Sequence, residues 1–241
     1  MASPVQPLHA PSLKEACVAR LEALILSGEF QIGERLPPER ELAGRLGISR
    51  PVLHEALVDL AAKGLVRVVP RHSVTVNDFR THGSVAILSS LLAYQQGRLD
   101  STMARSLMDM RILLETETAR LAARYYTAEQ LARLRELLAQ EEATDSRDAA
   151  SLTELDFSFH LQVALASGNL VYPLIINSFK AVYTNLTHLF FEKYCGTPVI
   201  AEVLRFHGRL VQAIAARDTG EAGMVMGETL RHGEELLKGA R

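Results

Sequence analysis

The chain has 241 residues, of which 48% are hydrophobic and 22% charged, with a formal net charge of -2. This composition is typical of a globular protein of one or two domains, and the sequence has no run of about 18 apolar residues that could span a bilayer. The first residues lack the basic and apolar segments of a secretory signal. Two distant cysteines without C-x-x-C spacing predict neither a disulfide framework nor a thiolate zinc site. We therefore expect a cytoplasmic protein without a membrane partner.

The first elements along the chain have the pattern of a helix-turn-helix. Ser12 and Glu15 have the spacing of a capping box, which predicts the start of a first helix. Two further helices are predicted over residues 39–46 and 50–63, and a tight turn at Gly47 joins them. Two helices separated by a glycine-containing turn are typical of DNA-binding domains.

A β-hairpin follows the third helix. Residues 65–69 and 74–76 are rich in valine and predict two short strands, which form a wing. The winged helix-turn-helix domain is therefore predicted to occupy residues 1–76. Residues 77–84 contain a glycine and few apolar side chains, which is typical of a linker, and residues 85–241 form the second domain.

The second domain shows apolar residues at helical spacing throughout. Capping boxes begin at Thr127 and at Ser151, each with a Glu or Gln three residues later. Six helices are predicted, over residues 107–126, 127–142, 151–167, 171–194, 199–217 and 220–238. Short connections between them predict an antiparallel all-α bundle, so the fold class is mainly α with one small β-hairpin.

Four polar residues lie where these helices are expected to be apolar. Asp156 and His160 are one turn apart on the same helix face, while His207 and Arg111 each interrupt the apolar stripe of another helix. Burial of such groups is unfavourable unless they pair with one another, with a metal or with an anionic ligand. One carboxylate and two imidazoles would suit a divalent metal, whereas an internal ion-pair network is the structural alternative.

The first domain contains a series of anchors in a specific order. They are Gly33-Glu-Arg-Leu-Pro-Pro-Glu-Arg-Glu-Leu-Ala43, Leu46-Gly-Ile-Ser-Arg50, Glu55-Ala-Leu57 and Lys63-Gly-Leu-Val66. Over about residues 12–76 this series resembles the winged helix-turn-helix of the GntR superfamily. The resemblance implies binding to double-stranded DNA, with contacts from Arg40, Ser49, Arg50, Val52, His54, Arg71 and His72.

These residues suit DNA contact on physical grounds as well. Ser49 and Arg50 begin the third helix, where backbone amides favour a phosphate and where a recognition helix enters the major groove. Arg50 could pair with guanine, and Arg71 and His72 at the wing tip could reach phosphates or the minor groove. His54 stands where the family usually has arginine, which predicts a difference in affinity, pH dependence or operator sequence.

The second domain resembles the ligand-binding domain of the FadR subfamily. The residues that carry this resemblance are Arg111, Asp156-x-x-x-His160, Ala166-Ser-Gly-Asn169 and His207. The resemblance implies one divalent metal per chain, zinc, nickel or manganese, bound by Asp156, His160 and His207. It also implies an organic-acid effector contacted by Arg111, Asn169, Tyr183 and Thr229. Thr229 stands where a last histidine is usual, and His232 or His188 is a candidate replacement.

The same segment also resembles the acyl-CoA-responsive members of the subfamily, whose pocket holds no metal. Asn169, Tyr172, Asn177, Lys180, Tyr183 and Thr184 carry this second resemblance. His160 and His207 depart from it because they restore two metal-binding positions. A metal-anchored organic acid and a metal-free acyl-CoA therefore both remain candidate effectors.

Together these patterns predict a homodimeric transcriptional regulator that reads a two-fold operator. A small-molecule effector would change DNA affinity by favouring one arrangement of the two DNA-binding domains. A metal-dependent hydrolase is the alternative from another class, since a metal could activate water, but the sequence offers no separate acid or nucleophile motif. A helical module without a ligand is the third alternative.

Overall fold

The computed structural model describes residues 12–69 and 73–238. The chain divides into two compact units, with the division between Arg98 and Leu99. The elements of the first unit are α1 Leu13–Leu26, α2 Glu39–Leu46, α3 Arg50–Ala62, β1 Val66–Val69, β2 Ser73–Val76, α4 Phe79–His82 and α5 Ile87–Tyr94.

The helix-turn-helix forms as the sequence predicts. The Ser12 hydroxyl accepts a hydrogen bond from the Glu15 amide at 3.2 Å, and the Glu15 carboxylate accepts from the Ser12 amide at 2.7 Å, so the predicted capping box is confirmed. Gly47 ends α2 with φ of 67°. Only glycine adopts this left-handed conformation at little cost, so Gly47 allows the sharp turn into α3.

The wing is a two-stranded antiparallel sheet in which Val66 pairs with Val76 and Val68 with Val74. Val74 and Val76 alternate with less buried neighbours, so one face of β2 packs on the first unit's core. That core is formed by leucines of α1 and α3 together with Leu65. Arg71 and His72, which were predicted to contact DNA, lie outside the described residues.

The segment after the wing differs from its predicted role. Residues 77–84 were predicted to be a linker and residues 85–98 to belong to the second domain. Instead, Ile87 of α5 is buried in the first unit's core. The Ser90 hydroxyl donates to the Glu22 carboxylate of α1 at 2.8 Å, and Lys63 donates to the same carboxylate at 2.5 Å. This polar network and the apolar contact hold α5 on the first unit, so the observed boundary falls after Arg98.

The second unit is built only of helices within the described residues. They are α6 Ser101–Tyr125, α7 Ala128–Ala143, α8 Ala149–Ala166, α9 Val171–Ser178, α10 Lys180–Tyr194, α11 Pro198–Ala215 and α12 Thr219–Lys238. Small and apolar side chains of α6, α7, α8, α11 and α12 form its main core. In the part of the chain that the structure describes, no helix is both long enough and apolar enough to cross a bilayer.

Three helix predictions in this unit are wrong. The helix predicted to begin at residue 107 is α6, which begins at Ser101 with Asp100 as its cap. α8 begins before the predicted capping box at Ser151, because the Asp148 carboxylate accepts from the Ser151 amide at 3.0 Å and caps the helix three residues earlier. The single helix predicted over residues 171–194 is two helices. Phe179 leaves helical geometry between them, with φ of -110° and ψ of 21°, and its side chain is buried. The capping box at Thr127 is confirmed.

Candidate functional site

The first unit presents an exposed polar face at the start of α3. Arg40, Arg50 and His54 line an open cleft between the N-terminal ends of α2 and α3 and the two wing strands. Arg50 and His54 are one turn apart on α3, with side chains 72% and 57% exposed. Ser49 precedes α3 in extended conformation and its hydroxyl makes no capping hydrogen bond.

Glu39 connects the two exposed residues of α3. One carboxylate oxygen accepts from Arg50 Nε at 3.2 Å, and the other lies 3.2 Å from His54 Nδ1. Partial burial raises the pKa of Glu39, but the hydrogen bonds from His54 and Arg50 outweigh burial and hold the pKa below its ordinary value. Glu39 is therefore an ionised acceptor at the edge of this face. Val52 is half-buried on the same helix and does not line the cleft.

The second unit contains a buried cluster of three residues with metal-ligating atoms. Asp156, His160 and His207 each offer one such atom, and these atoms lie within 4.8 Å of one another. His160 Nε2 and His207 Nε2 are 3.9 and 3.8 Å from the same oxygen of Asp156, Oδ1. The structure thus brings together the three residues that the sequence singled out as metal ligands. Phe159 stacks on the His207 ring at a centroid distance of 4.2 Å and fixes its plane.

Two buried carboxylates that sequence reasoning missed support the histidines. Glu141 Oε2 accepts a hydrogen bond from His207 Nδ1 at 2.8 Å, whereas Glu115 Oε2 lies 2.5 Å from His160 Nδ1 as a charge contact without hydrogen-bond geometry. A carboxylate that holds the Nδ1 proton leaves Nε2 as the free ligand atom and makes it more basic, which is a common arrangement around metal-binding histidines. Both imidazoles are therefore oriented with Nε2 toward Asp156.

Burial and ion pairing set the ionisation of these supporting groups. Burial raises the pKa of Glu115, but Arg111 and His160 outweigh burial and hold the pKa at about 2. Burial lowers the pKa of His207, but Glu141 outweighs it and raises the pKa above its ordinary value. Burial holds the pKa of Tyr183 well above its ordinary value. Its neutral hydroxyl donates to Asp156 Oδ2 at 3.1 Å, which leaves Oδ1 available.

The position of each missed carboxylate had a signal in the sequence. Glu141 continues the stripe of Leu134 and Leu137 on α7, where an apolar residue is expected. Glu115 is four residues after Arg111 on α6 and pairs with it at 2.7 Å. A glutamate on an apolar stripe is the same signal that identified Arg111 and His207.

A cavity of about 60 Å³ opens beside the cluster. Arg111, Asp156, His160 and Thr229 contribute to one part of its wall, and the remainder is mostly apolar, including Phe190, Phe191, Val203, Leu230 and Leu237. Two of the four predicted effector contacts, Arg111 and Thr229, thus line the cavity. Tyr183 lies behind it, against Asp156 and under the Arg111 guanidinium at 3.8 Å.

Asn169, the remaining predicted effector contact, does not line this cavity. Its side-chain oxygen accepts from the amide of Val171 at 2.8 Å, so it caps the start of α9. The two alternative histidines are also occupied elsewhere. His232 Nε2 lies 3.3 Å from Glu202 and His188 Nε2 lies 3.4 Å from Glu192, so neither joins the cluster.

The cluster fits a divalent cation by two criteria. His207 Nε2 is fully buried and has no hydrogen-bond partner, although an imidazole nitrogen is rarely buried without one. The carboxylates of Glu115, Glu141 and Asp156 carry three negative charges against the one positive charge of Arg111, and all four residues are buried. A metal requires both imidazoles to be neutral, and in that state the group has two uncompensated negative charges, which a divalent cation would neutralise. Without a metal, a protonated His207 would neutralise one of these two charges.

Comparisons with known proteins agree with both halves of this description. The pattern of the bacterial regulatory proteins of the gntR family matches residues 13–76, and that of the FCD domain matches residues 106–232. The HTH-type transcriptional regulator Mce2R of Mycobacterium tuberculosis is 35% identical over 74% of this chain and 73% of its own length. The fatty acid metabolism regulator protein of Yersinia enterocolitica is 32% identical over 70% of this chain and 68% of its own.

Two solved structures share the fold. Lar of Listeria monocytogenes superposes with a TM-score of 0.64 at 16% identity, covering 97% of this chain and 100% of that one. McbR/YncC of E. coli superposes with a TM-score of 0.54 at 21% identity, covering 95% of this chain and 98% of that one. Because both halves match and the relatives span most of the chain, this protein belongs to the GntR family of bacterial regulatory proteins, as a DNA-binding transcriptional regulator with an FCD domain and not an enzyme.

Proposed function

We propose that the FCD domain of this regulator senses a small carboxylic acid through a divalent metal bound by Asp156, His160 and His207. The observation that carries the proposal is the pair of carboxylate-oriented imidazoles. Each Nδ1 faces a buried glutamate, and each Nε2 lies within 4 Å of one oxygen of Asp156. In an ion-pair network without a metal, His207 Nε2 would have a charge contact with Asp156 at 3.8 Å but no hydrogen bond.

Zinc, nickel and manganese all suit a site of two imidazoles and one carboxylate. We propose one such ion per chain, with Thr229 in the place of a fourth protein ligand. A threonine hydroxyl that already donates to the Val225 carbonyl at 2.8 Å is a weak ligand, so positions on the metal stay open. When bound, the ion would supply positive charge and these open positions to the carboxylate of an effector.

The cavity supports an effector with a carboxylate at one end and a short apolar part at the other. Arg111 lines the cavity beside the cluster and offers a guanidinium for a carboxylate, although Glu115 already accepts from its Nε. The opposite wall is aromatic and aliphatic, with Phe190 and Phe191. Its volume of about 60 Å³ admits a small acid. Pockets for drug-sized ligands measure roughly 300–1,000 Å³.

A long-chain acyl compound is the second candidate effector. It is supported by the names of the Yersinia relatives, which are fatty acid metabolism regulators, and by the apolar wall of the cavity. It requires the bundle to open, because the cavity is too small for a long chain as it stands. The buried histidines also favour the metal, because burial of an imidazole beside an apolar pocket is unfavourable unless it has a partner.

We further propose that the protein binds a two-fold operator as a homodimer. One winged helix-turn-helix reads one half-site, so two copies are needed for a symmetric operator. The effector then acts by favouring one arrangement of the two DNA-binding units over another. Size-exclusion chromatography with light scattering tests the dimer, and a monomer at operator-binding concentration would contradict it.

Elemental analysis of protein purified without added metal or chelator tests the proposal directly. We expect about one zinc, nickel or manganese per chain. His160→Ala and His207→Ala should lose the metal, whereas His188→Ala should retain it because His188 lies outside the cluster. Operator binding by wild type should respond to short carboxylic acids, and the response should disappear with the metal. A metal-free protein with a bound acyl compound would overturn the proposal in favour of the second candidate.

A further inference from the structure

The hydrogen bond between Glu39 and His54 determines which nitrogen of the imidazole carries a proton. Glu39 is ionised and can only accept hydrogen bonds. His54 Nδ1, which lies 3.2 Å from it, must therefore be the donor. In a neutral imidazole the other nitrogen, Nε2, is then an acceptor. No described residue makes a hydrogen bond to His54 Nε2, so this acceptor is available to a ligand.

The position of His54 places this acceptor on the DNA-reading face. It lies one turn after Arg50 on α3, its side chain is 57% exposed, and both residues line the cleft beside the wing. Residues in the N-terminal half of a recognition helix reach the edges of bases in the major groove. There, only adenine N6 and cytosine N4 donate hydrogen bonds, whereas guanine offers O6 and N7 as acceptors.

We propose that Glu39 is a positioning residue for operator specificity, which holds His54 in the tautomer that accepts a hydrogen bond from a base amino group. His54 then selects adenine or cytosine on the strand that it faces. An arginine at the same position has only donors and selects guanine instead. The replacement of arginine by histidine therefore changes the base that is read at one position of each half-site.

Glu39 also orients Arg50, which we expect to contact a different base. It accepts from Arg50 Nε, and neither terminal nitrogen of Arg50 makes a hydrogen bond with a described residue. The two terminal nitrogens are thus free to pair with O6 and N7 of guanine. The Glu39 carboxylate therefore orients two neighbouring residues for base contacts of opposite kinds. Arg50 presents a pair of hydrogen-bond donors, and His54 presents one acceptor.

Selection of binding sites from a random-sequence duplex library by the full-length dimer tests the proposal. At about pH 8, where imidazole is neutral, wild type should select adenine or cytosine at one position of each half-site, with about tenfold preference over guanine. His54→Arg should change that position alone to guanine. Glu39→Gln should abolish the preference there, because glutamine accepts or donates and no longer fixes the tautomer.

Two matched variants serve as controls. His82→Arg makes the same change at an exposed position of α4, and Glu41→Gln makes the same change at a residue of α2 that pairs with Arg45. Both should select the wild-type operator. If His54→Arg and wild type select the same base at every position, the proposal is wrong.

Nitrogen-15 NMR of the histidine rings of wild type provides a test without DNA or mutations that affect folding. The proposal requires the proton of neutral His54 to be on Nδ1, and Glu39→Gln should shift the tautomer ratio. A ring with its proton mainly on Nε2, which is the usual preference of free imidazole side chains in water, would overturn the proposal whatever operator is selected. Resonance assignment uses His54→Arg, which removes one signal.

Discussion

Replacing Glu141 by glutamine removes one charge from the buried cluster while keeping the shape of the side chain. Glu141 is a supporting residue: its carboxylate accepts from His207 Nδ1 at 2.8 Å, and it is not one of the three candidate metal ligands. Its neighbour Glu142 is exposed on the same helix, so Glu142→Gln is a matched control that removes the same charge. We predict that only Glu141→Gln weakens metal binding.

The magnitude follows from the role of the carboxylate. Loss of a carboxylate behind a metal-binding histidine typically lowers metal affinity about 10–100-fold. Metal at about 100 times its dissociation constant stabilises wild type by about 2.7 kcal/mol. At the same metal concentration the variant gains only about 0.4–1.4 kcal/mol. For a protein of this size, 1 kcal/mol shifts the melting temperature by about 2–4 °C. Added metal should therefore raise the melting temperature of wild type by about 5–11 °C and that of Glu141→Gln by about 1–6 °C.

Thermal unfolding of chelator-stripped protein with and without added zinc measures these increments, and competition with a chromophoric chelator measures the affinities. The increment is compared within each variant, which removes any effect of the substitution on the metal-free protein. Equal increments in wild type, Glu141→Gln and Glu142→Gln would refute the supporting role of Glu141. The absence of any increment in wild type with zinc, nickel and manganese would refute the metal site itself.

Three further substitutions test other parts of the structure. Arg50→Ala should weaken operator binding at least about tenfold in fluorescence anisotropy, while its melting temperature stays unchanged because the side chain is exposed; unchanged affinity would contradict the placement of α3 in the major groove. Phe159→Ala should cost about 3–5 kcal/mol in denaturant unfolding, since Phe159 is fully buried against His207; a cost below about 1 kcal/mol would contradict its packing role. Thr229→His should tighten zinc binding by about tenfold or more, as a further imidazole ligand beside the cluster; weaker binding would show that position 229 cannot reach the ion.

The three residues of the candidate metal site could be singled out from the sequence because helical spacing is itself a geometric constraint. Asp156 and His160 are four residues apart, so any helix places them on one face. His207 was identified by its position in an apolar stripe, although only packing determines that α11 brings it to α8. The structure places the three residues in one buried cluster.

The partners of buried charges were harder to predict. The sequence identified Arg111 as a contact for an effector, but the structure gives it Glu115 as an ion-pair partner and Tyr183 as a stacking partner. Glu115 is four residues away and could have been paired with it, whereas Tyr183 and Glu141 lie on helices whose neighbours the sequence does not specify. Periodicity shows which face of a helix is buried but not what it is buried against.

The same limit explains the misplaced domain boundary. Residues 85–98 were assigned to the second domain together with the bundle that follows them, and α5 was not among the predicted helices. Instead, Ile87 and Ser90 complete a surface formed by α1 and the end of α3, where Glu22 and Lys63 supply the polar partners. Such a network joins residues that are far apart in the sequence, and no local pattern predicts it.

The buried cluster lies where several helices of the bundle meet. A small ligand bound there would therefore affect how these helices are arranged. Its charged and hydrogen-bonding residues come from α6, α7, α8, α10 and α11, namely Arg111, Glu115, Glu141, Asp156, His160, Tyr183 and His207. Close-packed helices respond to a new charge by discrete shifts and not by gradual deformation. If the proposed metal and acid bind at this cluster, the acid would change the charge balance that holds these helices together. We therefore predict that protein stripped of the metal still binds DNA but no longer responds to the acid.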